Sequence, residues 1–149
     1  MCYAVYISTN SQEDLSRRNS ELVRFKKLSE PESDPCTRLL EFPNRWFVGS
    51  KSDCSCTFRH ATSVDLGFTV SVDWYQEEQD ELDATGELFA VLQSLLLSGC
   101  DVDLVDRWEG AQLDDIISLD VSLAEISKTT FRMFENHRLR FSRGNLSRI

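Results

Sequence analysis

Between residues 73 and 98, apolar side chains recur with the period of an α-helix, and this stretch constrains the fold more than any other. Asp73 is a good N-terminal cap, Gln76 stands where a capping box needs it, and Gly99 suits the position just past the C-terminus. The pattern predicts a helix over about residues 73–98, roughly 37 Å long at 1.5 Å per residue. Its apolar stripe, which we expect to make the main core contact, consists of Leu82, Leu88, Phe89, Leu92, Leu95 and Leu96. Gly86 lowers helix propensity and so indicates close packing against another element.

Strands are predicted on both sides of this helix. Six segments rich in β-branched and aromatic residues read as strands: residues 3–8, 21–27, 45–49, 56–61, 101–108 and 116–121. Residues 21–27 also fit helical spacing, and we favour the strand. One hairpin is expected between residues 45–49 and 56–61, and another around Asn136 and His137. The predicted fold is α+β: a mixed, largely antiparallel sheet of six to eight strands, with the long helix (about 73–98) packed on one face.

The chain of 149 residues fits one domain. It is 41% hydrophobic and 28% charged, which is typical of a globular protein. We expect a single domain over residues 1–149 with a loose tail from about residue 143. No apolar run approaches the roughly 20 residues of a membrane helix, and the first residues lack the basic region of a signal peptide. These features predict a cytoplasmic protein that is not in a membrane.

The net charge of −9 is unevenly distributed along the chain. Residues 73–127 carry fifteen acids and one base, whereas residues 128–149 carry one acid and six bases. We expect the acidic segment to offset a basic face formed by Arg132, Arg138 and Arg140. A positive surface that is neutralised by acids of the same chain argues against nucleic-acid binding, because phosphate binding needs an uncompensated positive surface.

The chain contains five cysteines: Cys2, Cys36, Cys54, Cys56 and Cys100. Their odd number and irregular spacing argue against a disulfide framework. For most of them the simplest interpretation is a small buried apolar side chain.

Cys54 and Cys56 form the chain's one closely spaced thiol pair, and His60 follows four residues later. Thiolates and imidazole are the ligands that zinc prefers, so Cys54, Cys56 and His60 are the candidate metal ligands, and zinc is the cofactor to be considered. In an extended strand, Cys56 and His60 would lie about 13 Å apart at 3.3 Å per residue, too far to share one ion. A metal site therefore needs a turn or bulge here, or a further ligand from Cys2, Cys36 or Cys100.

Two other interpretations of the same motif stay open. Lys51, Arg59 and His60 are positioned to lower the pKa of a neighbouring thiol, and the two cysteines could form a strained, reducible disulfide. Alternatively, the motif is a strand end whose cysteines pack inside. The sequence gives little indication of other functional motifs. The loop at Gly49 lacks the first glycine of a phosphate-binding loop, and no catalytic residue is identified.

The order of a strand, the motif C-x-C-x-F, a long acidic-capped helix and a strand ending in Trp108-Glu109-Gly110 resembles small bacterial proteins of the domain-of-unknown-function type. The resemblance covers roughly residues 45–110 and implies a compact bacterial cytosolic domain, with no activity attached. We therefore expect a non-catalytic binding or interaction module, with a protein partner or a homodimer formed through an exposed sheet edge. The alternative is a thiol-redox or zinc-binding protein that uses Cys54 and Cys56.

Overall fold

The computed structural model of the protein describes residues 2–29, 34–51, 53–71 and 76–143. Within these ranges the chain forms one α-helix, eight strands and several short 3-10 turns. The strands are β1 (Tyr3–Thr9), β2 (Val23–Lys27), β3 (Asn44–Ser50), β4 (His60–Ala61), β5 (Val102–Trp108), β6 (Ile117–Ser122), β7 (Met133–Phe134) and β8 (His137–Ser142), and the helix is α1 (Gln79–Leu97).

Six of the strands form one sheet in the order β2-β3-β1-β5-β8-β6. The neighbours are antiparallel except for β6 and β8, which are parallel. The short strands β4 and β7 pair in parallel as a separate two-stranded sheet. The prediction of an α+β fold with a mixed, largely antiparallel sheet is confirmed. Because β1 and β5 lie in the middle of the sheet, their ends are fixed points on which a site can be built.

Helix α1 begins later than the sequence pattern predicts. Its first residue is Gln79, residues 76–78 are not helical, and the expected cap Asp73 lies outside the described residues. The C-terminus follows the prediction. Gly99 has a φ of +92°, and its N–H donates to the carbonyl of Leu96, while the N–H of Cys100 donates to that of Leu95. This is a Schellman motif, in which glycine supplies the left-handed conformation.

The main core lies between α1 and one face of the large sheet. Leu88, Leu92 and Leu95 of the helix are buried in the same cluster as Ile7 of β1 and Leu104 of β5. All the residues of the predicted apolar stripe except Leu82 are buried. Burying a Leu-sized side chain contributes about 1.5–3 kcal/mol, so this contact is the principal source of stability.

The opposite face of the sheet carries a smaller apolar cluster. It consists of Tyr6, Cys36, Leu40 and Val105. A 3-10 turn over Pro35–Leu39 brings Cys36 to this face, where its side chain is 1% exposed. Burial raises the pKa of the Cys36 thiol well above its usual range. Cys36 is thus a packing residue, in agreement with the simplest interpretation of its sequence.

Two predicted hairpins are wrong. Residues 56–59 are not extended, and β4 pairs with β7 instead of β3. The reason is local: both the backbone N–H and the hydroxyl of Ser50 donate to the carbonyl of Cys54, at 2.7 and 2.6 Å, and turn the chain back on itself. In the second case, β7 pairs with β4 while β8 pairs with β5 and β6. Asn136, with a φ of +58°, turns the chain between them.

The C-terminal segment is anchored at the first residue of the predicted tail. Arg143 donates to the carbonyls of Leu96 and Cys100, at 2.7 and 3.1 Å. The rest of that tail, residues 144–149, lies outside the described residues. In the part of the chain that the structure covers, no helix has both the length and the hydrophobicity to cross a membrane.

Candidate functional site

Three cysteine thiols converge at one end of β1. The Sγ atoms of Cys2, Cys54 and Cys56 all lie within 4.8 Å of one another. Cys2 is exposed, and the other two are partly buried. None of the three forms a disulfide. Across the described ranges, no other group of three or more His, Cys, Asp or Glu side chains comes this close together.

Cys2 is held in place by its contact with the end of β5. Its carbonyl accepts from the backbone N–H of Glu109, and its own N–H donates to the Glu109 carboxylate, both at 3.0 Å. Beyond it, β1 pairs with β5 in antiparallel register from Tyr3 opposite Trp108 onward. The first cysteine is therefore fixed by the central strands of the sheet.

Ser55, the residue between the other two cysteines, anchors their loop. Its side chain is completely buried. Its hydroxyl accepts from the N–H of Val5 in β1 at 2.9 Å and donates to the carbonyl of Val48 in β3 at 2.6 Å. Because these bonds span two neighbouring strands of the sheet, the loop cannot shift without breaking buried hydrogen bonds, each worth about 1 kcal/mol or more.

The turn that leads into the loop is held in the same way. The Ser50 hydroxyl donates to the carbonyl of Cys54 and accepts from the N–H of Thr57 at 3.1 Å. Asp53 has a φ of +65°, a conformation that Asp adopts more readily than most residues. These bonds set the direction in which the Cys54 and Cys56 side chains leave the backbone.

His60 lies beneath the loop, and both of its ring nitrogens are engaged. Nδ1 is 2.6 Å from Oδ2 of Asp106, and Nε2 is 2.6 Å from the carbonyl oxygen of Ser55. The imidazole stacks on the Tyr3 ring with 3.7 Å between centroids. A carbonyl only accepts hydrogen bonds, so Nε2 carries a hydrogen.

Of the three predicted ligands, the structure brings Cys54 and Cys56 together and leaves His60 outside the sulfur group. The third sulfur comes from Cys2 instead. The sequence offers Cys2 only as one of three candidates for a further ligand, because nothing in the spacing of the cysteines marks it. Of the other two, Cys36 belongs to the opposite face of the sheet and Cys100 follows the C-terminus of α1.

The surroundings of Cys56 favour its neutral thiol form. Burial is the main reason that the pKa of Cys56 rises to about 12, and contacts with the thiols of Cys54 and Cys2 add to the rise. The N–H of Tyr3, which donates to the Cys56 sulfur, opposes it. A thiol with such a pKa is a poor nucleophile at neutral pH, because the thiolate is the reactive form.

His60 and Asp106 form a buried pair beneath the loop, and burial and the contact between them shift the pKa of each in opposing ways. Burial alone would lower the pKa of His60, but the Asp106 carboxylate and the Ser55 carbonyl together raise it. Burial raises the pKa of the fully buried Asp106 carboxyl, and His60 works against that rise. The pair therefore keeps a proton that the separate groups would lose in water.

The sulfur arrangement suits a soft metal ion. In a tetrahedral zinc site with Zn–S bonds of 2.3 Å, neighbouring sulfurs are about 3.8 Å apart. Three sulfurs within 4.8 Å of one another are close to this spacing, and small side-chain rotations would bring them to it. Comparisons with protein-family models, with curated proteins and with solved structures found no match.

Proposed function

We propose that the protein binds a soft metal ion, with zinc as the first candidate, through the thiolates of Cys2, Cys54 and Cys56. The single observation that carries the proposal is the convergence of three thiols from two separate segments of the chain. Thiolate sulfur is the protein ligand that zinc and copper(I) prefer over hard cations such as magnesium. A zinc ion held by three sulfurs keeps a fourth position for water or an added ligand.

The raised pKa of Cys56 argues against this thiol as the attacking nucleophile of a redox site. A redox-active cysteine needs a lowered pKa, so that its thiolate attacks at neutral pH. At Cys56 the shift has the opposite sign, to about 12. A bound cation would reverse this balance, because its charge stabilises thiolates that burial otherwise disfavours. A disulfide between two of the three cysteines would also leave the third thiol unused.

A thiol site of this kind requires a reducing compartment, since oxidation would remove its ligands. This requirement supports the cytoplasmic location expected from the sequence. The resemblance to small bacterial proteins and the expectation of a protein partner or a homodimer stay predictions. The outer edges of the large sheet, β2 and β6, are where a partner strand would add.

The test is a metal titration of the reduced protein, followed by elemental analysis after desalting. We expect one zinc per chain in the wild type. We expect the variants Cys2→Ser, Cys54→Ser and Cys56→Ser each to weaken zinc affinity by more than about 100-fold, because each removes a direct ligand. The matched control is Cys100→Ser, which changes a partly exposed thiol outside the group and should leave affinity unchanged.

Two results would contradict the proposal. Absence of stoichiometric zinc or copper(I) in the wild type would make the thiol cluster a packing feature and leave the sheet edges as the candidate binding surface. Rapid formation of a Cys54–Cys56 disulfide by mild oxidants, in a chain that binds no metal, would support the redox alternative instead.

A further inference from the structure

We infer that His60 and Asp106 act as a positioning pair for the proposed metal site, holding the C-x-C loop in the conformation that presents Cys54 and Cys56 to one ion. This inference rests on the proposed function and adds residues that are not ligands. His60, which the sequence suggested as a ligand, would instead hold the backbone of the loop that carries two of the ligands.

The geometry that carries the inference is a continuous hydrogen-bonded chain. Asp106 Oδ2 lies 2.6 Å from His60 Nδ1, and His60 Nε2 lies 2.6 Å from the Ser55 carbonyl oxygen. The Asp106 side chain is fully buried, and that of His60 is 5% exposed. Ser55 is the middle residue of the C-x-C motif, so the chain ends on the peptide group that separates the two thiols.

The position of that peptide group determines how far apart the thiols lie. In a C-x-C motif, the backbone conformation of the middle residue sets the separation of the two Cα atoms and the directions in which the two side chains leave the backbone. The ring Nε2–H of His60 donates to the carbonyl of Ser55 on the inner side of the loop, while the Ser55 hydroxyl bonds to the backbone of β1 and β3. Side chains that orient ligands in this way typically contribute 10–100-fold to metal affinity.

The ring of His60 is itself held from several directions, which makes it a rigid support. Tyr3, the residue after Cys2, stacks on one face at 3.7 Å between centroids with planes 6° apart. Phe58 approaches edge-on at 6.4 Å. Asp106 sits in β5, opposite His137 of β8. The His60 imidazole thus contacts both segments that carry the cysteines: Tyr3 follows Cys2, and Ser55 lies between Cys54 and Cys56.

The experiment compares two double variants that differ in one hydrogen-bond donor. Asp106→Asn/His60→Gln keeps an amide N–H directed toward the Ser55 carbonyl, whereas Asp106→Asn/His60→Phe keeps a ring against Tyr3 and has no donor. The Asn replacement, present in both, prevents an unpaired charge from being buried. Affinity is measured with cobalt(II) and zinc, and the sulfur-to-cobalt charge-transfer absorption reports the ligand geometry.

We expect the Phe variant to bind cobalt and zinc about 10–100-fold more weakly than the wild type, with an altered charge-transfer spectrum. The Gln variant should recover most of the affinity and the wild-type spectrum. The variant Asp103→Asn is the control for a general loss of stability. It disturbs the buried ion pair with Arg138, outside the loop, and should leave the charge-transfer spectrum unchanged. If the Phe variant does not fold, Asp106→Asn alone is compared with the wild type, and it should bind a few-fold more weakly.

The outcomes separate the inference from the function on which it rests. Equal affinity and spectra for the Gln and Phe variants, or for Asp106→Asn and the wild type, would overturn the positioning role while the metal site stands. A wild-type protein that takes up no cobalt or zinc would overturn both.

Discussion

Asp106 and His60 show how a single buried carboxylate is tolerated in the core. Asp106 is fully buried and lies on the central strand β5. Its Oδ2 is paired with His60, whereas its Oδ1 accepts no hydrogen bond from the described residues. An isolated buried charge would cost several kcal/mol, so the stability of this region depends on the proton that His60 holds.

That dependence predicts a loss of stability at alkaline pH. The pKa of His60 is raised above its ordinary value of 6.5 in the folded protein. The folded state therefore keeps a proton that the unfolded chain releases. The stabilisation is complete below about pH 6.5 and is lost as pH rises through the raised pKa, with a slope of about 1.4 kcal/mol per pH unit in between. Urea unfolding of the metal-free, reduced protein from pH 6 to pH 9 measures this change in the free energy of unfolding.

The control for this pH dependence is His60→Gln/Asp106→Asn, which has neither titrating group. Other charged groups near the pair stay in place, namely Glu81, Glu135 and His137. The double variant should show a flatter profile over the same range. Parallel profiles for it and for the wild type would assign the effect to other groups.

Helix α1 packs closely against a neighbouring side chain at Gly86, where the sequence predicts close packing. A Cβ on Gly86 would lie 3.0 Å from Cγ and 3.1 Å from Cε of Lys128. The glycine lets the Lys128 side chain cross the helix. Close packing at Gly86 is therefore present, but the neighbour is the side chain of Lys128 in a turn and not another helix or strand.

This contact predicts a non-additive pair of substitutions in α1. Gly86→Ala alone should change the free energy of unfolding by less than about 0.5 kcal/mol, because the gain in helix propensity is offset by crowding against Lys128. In a Lys128→Ala background the crowding is gone, and the same substitution should stabilise the protein by about 1 kcal/mol. Urea unfolding of the four proteins of this double-mutant cycle gives the coupling energy. A coupling energy of zero would show that Lys128 moves aside freely.

Across the whole molecule, the acidic and basic segments of the chain meet, as the charge distribution predicted. Arg138 of β8 donates to Asp103 of β5 at 2.8 and 3.0 Å, and Arg140 pairs with Asp120 of β6 at 3.1 Å. Arg132 is buried just before β7 and lies 3.7 Å from Glu77, so it does not share the predicted basic face with Arg138 and Arg140 of β8. The positive charges of Arg132, Arg138 and Arg140 thus each have an acidic neighbour within the fold.

These pairs should differ greatly in their contribution to stability. The Arg138 and Asp103 side chains are 12% and 1% exposed, whereas those of Arg140 and Asp120 are 53% and 81% exposed. Arg138→Met leaves a buried carboxylate without its cation and should lower the free energy of unfolding by about 3 kcal/mol. The matched variant Arg140→Met should cost less than about 1 kcal/mol, because water screens an exposed pair. Thermal and urea unfolding of both variants measure the two losses of stability. Equal losses for Arg138→Met and Arg140→Met would contradict the prediction.

The sequence by itself determined the elements whose signals are local. The apolar stripe of α1, its terminal glycine and most of the sheet strands follow from side-chain periodicity and turn residues, which act over a few positions. The N-terminus of α1 was placed too early, because the acidic residues before it resemble a first helical turn while residues 76–78 remain non-helical. Hydrophobic periodicity fixes which segments form, and it leaves their ends uncertain by a few residues.

Only the tertiary structure decided which residues make the candidate site. Cys2 joins Cys54 and Cys56 because β1 pairs with both β3 and β5, a long-range arrangement that no local pattern encodes. His60, four residues from a cysteine in sequence, is drawn away from the sulfurs by the buried Asp106 of a distant strand. Local periodicity reports burial and conformation, whereas the meeting of residues far apart in the chain depends on strand order and register.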